Sequence, residues 1–469
     1  MQQTTRTTSQ QATQQTTRYA RRATASLAAA VAAGTLALAG CAGPGPAAGA
    51  AEDFVVLDYW LWDANQLPAY QRCADEFERQ NPDLQVRISQ YGWDDYWRKL
   101  TAGFVAGAGP DVFTDHLTQY PGFAERGLLR DLNALDATAD VDYGEFQEGL
   151  SDLWVGQEGA QYGMPKDFDT VGLFYDENVI TEAGLSPEDL DGLDWNPDDG
   201  GSFEKILAHL TVDENGVRGD EEGFDPDNVA VYGLASNGSG GTVGQTTWSW
   251  LAGATGWKFT DADVWGTEYH FDDPRVQKSL DWLFGLVEKG YMAPYEEVGT
   301  EPNPQQALGS GRAAISANGS WMLGTYANLE GVDLGIASLP SGPVGHPVSM
   351  YNGLADSISA QSPNPEEAAR WVEFLGSDDC QRLVGEAGVV FPARPAGTEA
   401  AVEAFADKGL DTSVFTDTVD KGHTLFHPVT EEYGAIEAVM TPIMDEIYIG
   451  DRDVSTLTEV NGRINGLLD

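Results

Sequence analysis

Asp167 and Asp169 stand two residues apart in the extended apolar run GMPKDFDTVGLFY, 163–175, so both side chains point to the same side of it. Thirteen tryptophans are many for this length. Several neighbour carboxylates or amides: Trp60 and Trp62 with Asp63 and Asn65, Trp93 with Asp94, Trp248 and Trp250 near Gln245. Flat aromatic faces ringed by Asp, Asn, Gln and Arg match a molecule with apolar C–H faces and a belt of hydroxyls. A hydrogen bond to a charged partner is worth about 1.5–3 kcal/mol, against about 1 for a neutral one. The set suits the holding of a neutral polyol. Paired carboxylates also serve glycoside hydrolysis, but with 74 acidic residues some pair occurs at any spacing.

Other chemistries find little support. There is no G-x-S-x-G elbow, Walker loop or H-E-x-x-H. His423, His427 and Glu431 have the spacing of a zinc-binding helix face, but Pro428 interrupts any helix there, and no metal site or cofactor is expected. The acidic stretch 191–228 departs from calcium-loop spacing and reads as a solvated loop with a turn at Asn215-Gly216. SNGSGGT, 236–242, reads as a flexible connection rather than a phosphate cradle. A net charge of −48 excludes nucleic acid as a partner, and any membrane-surface role beyond an anchor, because both are polyanionic.

The elements that must position these residues alternate. Strands are expected at 54–62, 84–91 and 110–113, with helices at 66–80, 93–106 and 120–127 between and after them, which makes an α/β fold with mostly parallel sheets. Trp62 and Asp63 close the first strand at its carboxyl end, where open α/β sheets hold ligands. Two extended runs, 163–175 and 347–360, break the rhythm. Later helices are expected at 203–210, 246–254, 276–289, 321–329, 365–375 and 379–387, with 432–448 kinked or split by Pro442. Residues 1–40 combine arginines, an apolar run and a small-residue exit, the pattern of a secretory signal too short to be a span. Residues 41–53 form a Gly/Pro/Ala tether, and the remainder is too long for one ordinary core. Cys73 and Cys380 could pair in an oxidising exterior or remain buried thiols.

Several stretches, in this order, resemble the sugar-binding extracellular solute-binding proteins of ATP-driven importers, the maltose-binding-protein-like family. They are FERQNPDLQV (77–86), WDDYWRKLTAGFVAGAGPDVF (93–113), YGMPKDFDTVGLFYDENVITEAGL (162–185), GRAAISANGSWM (311–322) and NPEEAARWVEFLGSDDCQ (364–381). Leu38-Ala39-Gly40-Cys41 resembles the bacterial lipoprotein box, which implies lipid on Cys41 and a place on the outer face of the cell membrane.

The resemblance implies a two-lobed periplasmic-binding-protein-like type II fold with three hinge segments. One lobe is expected at 54–163 and 357–395, the other at 167–349 and 420–469, with the third crossing within 396–420. It implies a monomer that performs no catalysis. A neutral carbohydrate would be trapped between the lobes and passed to the membrane permease. Trp321 would stack on the ligand and Asp169 would accept from its hydroxyls. Around them Asp115, His116, Trp62, Asp63, Tyr91, Asp167, Trp250, Tyr351, Asn352, Gly353 and Arg394 are expected to contribute. The alternatives are a secreted glycoside hydrolase or a receptor for a ligand such as glycerol phosphate.

Overall fold

The computed structural model describes residues 54–299 and 303–468; the leader, Cys41 and the tether lie outside them. In chain order the strands are β1 (Val55–Leu61), β2 (Leu84–Gln90), β3 (Val112–His116), β4 (Met164–Asp169), β5 (Val171–Asp176), β6 (Val212–Asp213), β7 (Val229–Leu234), β8 (Ala313–Gly319), β9 (Leu334–Ala337), β10 (Ser349–Ile358), β11 (Phe391–Pro392) and β12 (Thr424–Phe426). They build two mixed sheets. One runs β11-β4-β10-β3-β1-β2 with β12 on the start of β10, and the other runs β6-β7-β8-β5-β9.

Each sheet has its own core. In the first, Leu57, Tyr59 and Leu61 alternate inward along β1 and meet Tyr70, Cys73 and Phe77 of the helix Leu67–Gln80, with Trp371 of the helix Pro365–Leu375 against Tyr59 and Phe77. In the second, Trp248, Trp250, Trp257 and Trp282 pack with Phe203, Phe259 and Phe271. Cys73 and Cys380 are joined by a disulfide that ties the helix Leu67–Gln80 to the helix Asp378–Gly385, across 307 residues of sequence.

The chain passes between the sheets three times. β4 ends at Asp169 and β5 begins at Val171, so the first passage is the single residue Thr170. β10 makes the second: at its start Ser349 Oγ accepts from the Val171 N–H (2.7 Å) and Met350 lies in the second core, while Asn352–Asp356 pair with β4. The third follows the helix Pro395–Ala406, which packs on Asp378–Gly385, and precedes β12; there Phe415 lies between Phe174 and Phe391, and its carbonyl accepts from Thr170 Oγ1 (2.9 Å). The expected lobe edges therefore shift. Asp167 and Asp169 belong to the first sheet, as does β10 from Asn352 onward, because ladder pairing rather than composition decides where a strand changes sheet.

The helix Tyr433–Tyr448 runs unbroken with Pro442 inside it. No helix among the described residues is long and apolar enough to cross a membrane.

Candidate ligand-binding site

Strand alternation sorts the predicted residues. Asp169 pairs with Asn352, and Leu354 pairs with both Asp167 and His116, so Asp167, Asp169, Asn352 and His116 share one face of the first sheet. Phe168 pairs with Gly353, and these two point the other way together with Tyr351. Tyr351 is buried against Phe168 and Phe426. At Gly353 the close neighbour is Leu150, whose Cδ1 would lie 2.2 Å from an added methyl group. Tyr351 and Gly353 are thus core residues, a correction that follows from the period of two.

Three further expectations are corrected by packing. Trp250 is 1% exposed, edge-on to Phe203 in the second core. Arg394 lies on the Phe146 ring, donates to the Gly376 carbonyl and to Glu145 Oε2 (2.6 Å), and does not join the site. Asp115 faces away from His116, fully buried, accepting from the His116 N–H (2.8 Å) and Ser357 Oγ (3.3 Å). Tyr91 stands apart as well, packed on Trp60 beneath Lys99.

The residues that do converge come from both sheets. Trp62, half-buried past the end of β1, sits in an aromatic group. Its ring centroid is 5.1 Å from Trp93, 5.2 Å from Tyr96, 5.4 Å from Trp97 and 6.3 Å from His116. Trp93 and Trp97 are i and i+4 on the helix Trp93–Ala106, which places them on one face. Trp93 remains 45% exposed, an indole open to solvent beside the others. Trp93 stands out in the sequence only among the tryptophans beside acids, and Trp97 was not expected; the i, i+4 spacing after Gly92 is the signal that could have joined them.

His116 and Asn352 form a pair. The Thr118 N–H donates to His116 Nδ1 (3.1 Å), so the ring proton belongs on Nε2, 3.2 Å from the Asn352 amide. In the structure the Asn352 NH2 group lies at Nε2 and its Oδ1 is buried without a partner; exchanging the two by an amide flip would give the Nε2 proton its acceptor. Burial, with His427 beside it, holds the His116 imidazole down at about 3, so the ring is neutral.

Across the junction, Ser320 donates its backbone N–H to the Thr170 carbonyl (2.9 Å) and its hydroxyl to Asp169 (3.2 Å). The next residue, Trp321, lies on the backbone of Gly319, where an added methyl group would come within 1.8 Å of Cζ3. Glycine is what lets the indole lie there. Trp321 is half-buried at the end of β8, one residue from the contact with Asp169. Ser320 and Gly319 went unrecognised in the sequence because their roles depend on that contact.

The electrostatics follow from burial. Asp63 accepts from the Asn65 N–H (2.7 Å), and burial raises its carboxyl. Asp169 is pushed up to about 7 by burial, with the Asp63 charge adding to it. Asp167 is raised by burial and by Asp169, partly offset by Lys166, and neither of its oxygens has a hydrogen-bond partner. A β-bulge explains why Lys166 and Asp167 act together: β4 steps from Pro165 to Asp167 against consecutive residues of β10, leaving Lys166 as the extra residue. Lys166 Nζ meets Tyr59 Oη (2.7 Å) and Asp356 (3.6 Å). These partners are distant in sequence and invisible in it.

The titrations carry a sign that can be measured. Asp169 at about 7 and Asp115, raised by burial to about 8, keep their protons in the folded chain long after the unfolded chain has released them near pH 4. Below about pH 6.5 His116 and His427, held down by burial at about 3 and about 4, act in the opposite sense, since the unfolded chain then binds the extra protons. Stability of the ligand-free protein is therefore expected to fall as pH rises from 6.5 to 8, and less steeply below 6.5, where the two histidines oppose the raised carboxyls. Denaturant midpoints across that range test this, and a rise from 6.5 to 8 would contradict it.

The remaining sequence features have their own contacts within the protein. His423 stacks on His346 at 3.7 Å, His427 is buried, and the following helix begins only at Tyr433. Among the described residues no group of three or more His, Cys, Asp or Glu has metal-holding geometry. In the acidic stretch, Asp213 accepts from the backbone N–H groups of Asn215, Val217 and Asp225. In the 236–242 loop, Ser239 donates to Asp445, a poor neighbour for phosphate.

The model of the bacterial extracellular solute-binding protein family matches residues 72–409. The chain is similar to the lactose-binding protein of Rhizobium radiobacter, 27% identical over 143 residues, covering 29% of this chain and 32% of that protein. It is also similar to the maltodextrin-binding protein MdxE of Bacillus subtilis, 24% identical over 309 residues, 65% of each chain. Matching segments thus span about a third of one relative and just under two thirds of the other. Among solved structures, the ABC substrate-binding protein of Listeria monocytogenes in complex with cycloalternan superposes with a TM-score of 0.73 at 18% identity, over 88% of this chain and 99% of that one. With the family model covering well over half of its length, the chain belongs to the bacterial extracellular solute-binding proteins.

Proposed function

We propose that this protein captures a carbohydrate between its lobes outside the cell and hands it to the permease of an ATP-driven importer, working as a monomer and without catalysis. The observation that carries this is Asp169. It stands at the one-residue passage between the sheets, on the same sheet face as Asn352, and accepts from the serine that precedes Trp321. Trp321 follows that serine on one side, and on the other Trp62 stands by His116, which meets Asn352, the strand partner of Asp169. A ring bound there touches both lobes and favours their closed arrangement. The names of the relatives, lactose- and maltodextrin-binding proteins, support a sugar. Composition alone points to a neutral one. Lipid on Cys41 would hold the receptor near its permease and raise its local concentration there.

The test is the melting temperature of the purified protein against mono-, di- and trisaccharides, with glycerol phosphate and zinc as controls. Ligand at 100 times its Kd adds about 2.7 kcal/mol of stability. A saturable rise with one sugar class and no cleavage products is the expected result. Sugar cleavage, or a response to phosphate or zinc alone, would overturn the reading. Asp169→Asn is expected to weaken sugar binding by about 1.5–2 kcal/mol, roughly 10- to 30-fold, with little change in the melting temperature of the free protein. A large loss of stability in that variant would mark Asp169 as structural.

A further inference from the structure

Lys166 is the cation felt by Asp63 and Asp167, and it is already engaged. Its ammonium donates to Tyr59, faces Asp356 and lies 3.2 Å from the centre of the Tyr70 ring. Asp356 in turn accepts from Tyr59 Oη (2.8 Å) and Thr114 Oγ1 (3.1 Å). Asp167 and Asp169 share one sheet face, and burial together with the fields of Asp63, Asp167 and Asp169 on one another disfavours their ionisation. Each ionised carboxylate has room for about four hydrogen bonds. Asp169 receives a single hydroxyl, and Asp167, fully buried, receives nothing at either oxygen. Tyr70 supplies an independent sign of an unfilled polar site: its hydroxyl is buried without a partner in the field of Asp167, Asp356 and Asp63. Next to Asp63 in sequence stands Trp62, and against Trp62 lies Trp93, whose indole is open to solvent. Arg394, expected to reach the site, is held at Glu145 instead.

Resting on the carbohydrate reading above, we propose that the cleft selects sugars that carry a basic amine, with Asp63, Asp167 and Asp169 as the ammonium receptor. A neutral hydroxyl can donate one hydrogen bond to a carboxylate but brings no positive charge to favour ionisation of the three acids. A protonated amine donates up to three and carries the charge that all three lack. The indoles add attraction for a cation as well as a surface for the ring. This departs from the neutral polyol that composition alone suggests.

The experiment is calorimetric titration of the purified protein at pH 7 and low salt with matched pairs. These are glucose and glucosamine, galactose and galactosamine, mannose and mannosamine, and cellobiose and the β-1,4-linked glucosamine dimer. In the pair that binds best, the amine member is expected to bind at least about 10-fold tighter. That ratio is expected to collapse toward one in Asp167→Asn, and in Asp63→Asn if the first variant does not fold. Raising the salt is expected to narrow it in the unaltered protein. Equal or tighter binding of the neutral member overturns this inference and leaves the carbohydrate reading standing. An amine preference that survives both substitutions overturns the assignment to these acids. Silence from every pair while a neutral oligosaccharide of the wider panel binds overturns this inference alone, and silence from every sugar overturns both.

Discussion

Replacing Cys73 and Cys380 together by alanine is expected to lower the stability of the protein by about 5 kcal/mol, or roughly 6 °C in Tm. The bond closes a loop of 307 residues in sequence, so the unfolded chain loses much of its freedom while the bond is present. It also joins two helices that lie on the same core, Leu67–Gln80 and Asp378–Gly385, whose contributing segments come from opposite ends of the chain. The first of these helices follows directly on Trp62 and Asp63, so loosening it loosens the site. Guanidinium unfolding of the unaltered protein with and without dithiothreitol, beside the double variant, measures the effect. Identical midpoints in all three would show that the bond contributes nothing. An oxidising exterior is where such a bond persists, in keeping with an extracellular family.

Trp321→Ala is expected to weaken sugar binding by about 3 kcal/mol, roughly 100-fold, because a large aromatic face leaves the ligand. The indole is only partly buried, so the melting temperature of the free protein is expected to move by a few degrees at most. Gly319→Ala provides a second handle. Its methyl group cannot coexist with the present indole position, so the ring must move while remaining in the protein. Loss of affinity in both variants ties binding to where the ring lies. Unchanged affinity in Trp321→Ala would remove it from the site.

Much of the fold was legible because its signals are local. Periods of two and of 3.6 gave the early strands and helices, and the resemblance to solute-binding proteins gave their order. Local signals did not separate neighbours within one strand. Tyr351, Asn352 and Gly353 look equally placed in sequence, yet pairing with β4 turns only Asn352 to the site face. Trp250 and Trp321 look alike as tryptophans among small polar residues. One is enclosed by a helical core, and the other lies on a glycine at a strand end. The Lys166–Asp356–Tyr59–Tyr70 cluster could not be read at all, since Tyr59 and Asp356 are 297 residues apart and the bulge that re-aims Lys166 leaves no mark in composition. Arg394 was misplaced for a related reason: its partner Glu145 is 249 residues away.

The central claim is that one sugar is held by residues from both lobes. Hydrogen exchange of the purified protein, with and without saturating oligosaccharide from the panel, tests it most directly. The account predicts protection confined to separate stretches around Trp62 and Asp63, Asp169 and Thr170, Gly319–Trp321 and Asn352. Protection limited to one sheet, or no change with any oligosaccharide, would contradict it.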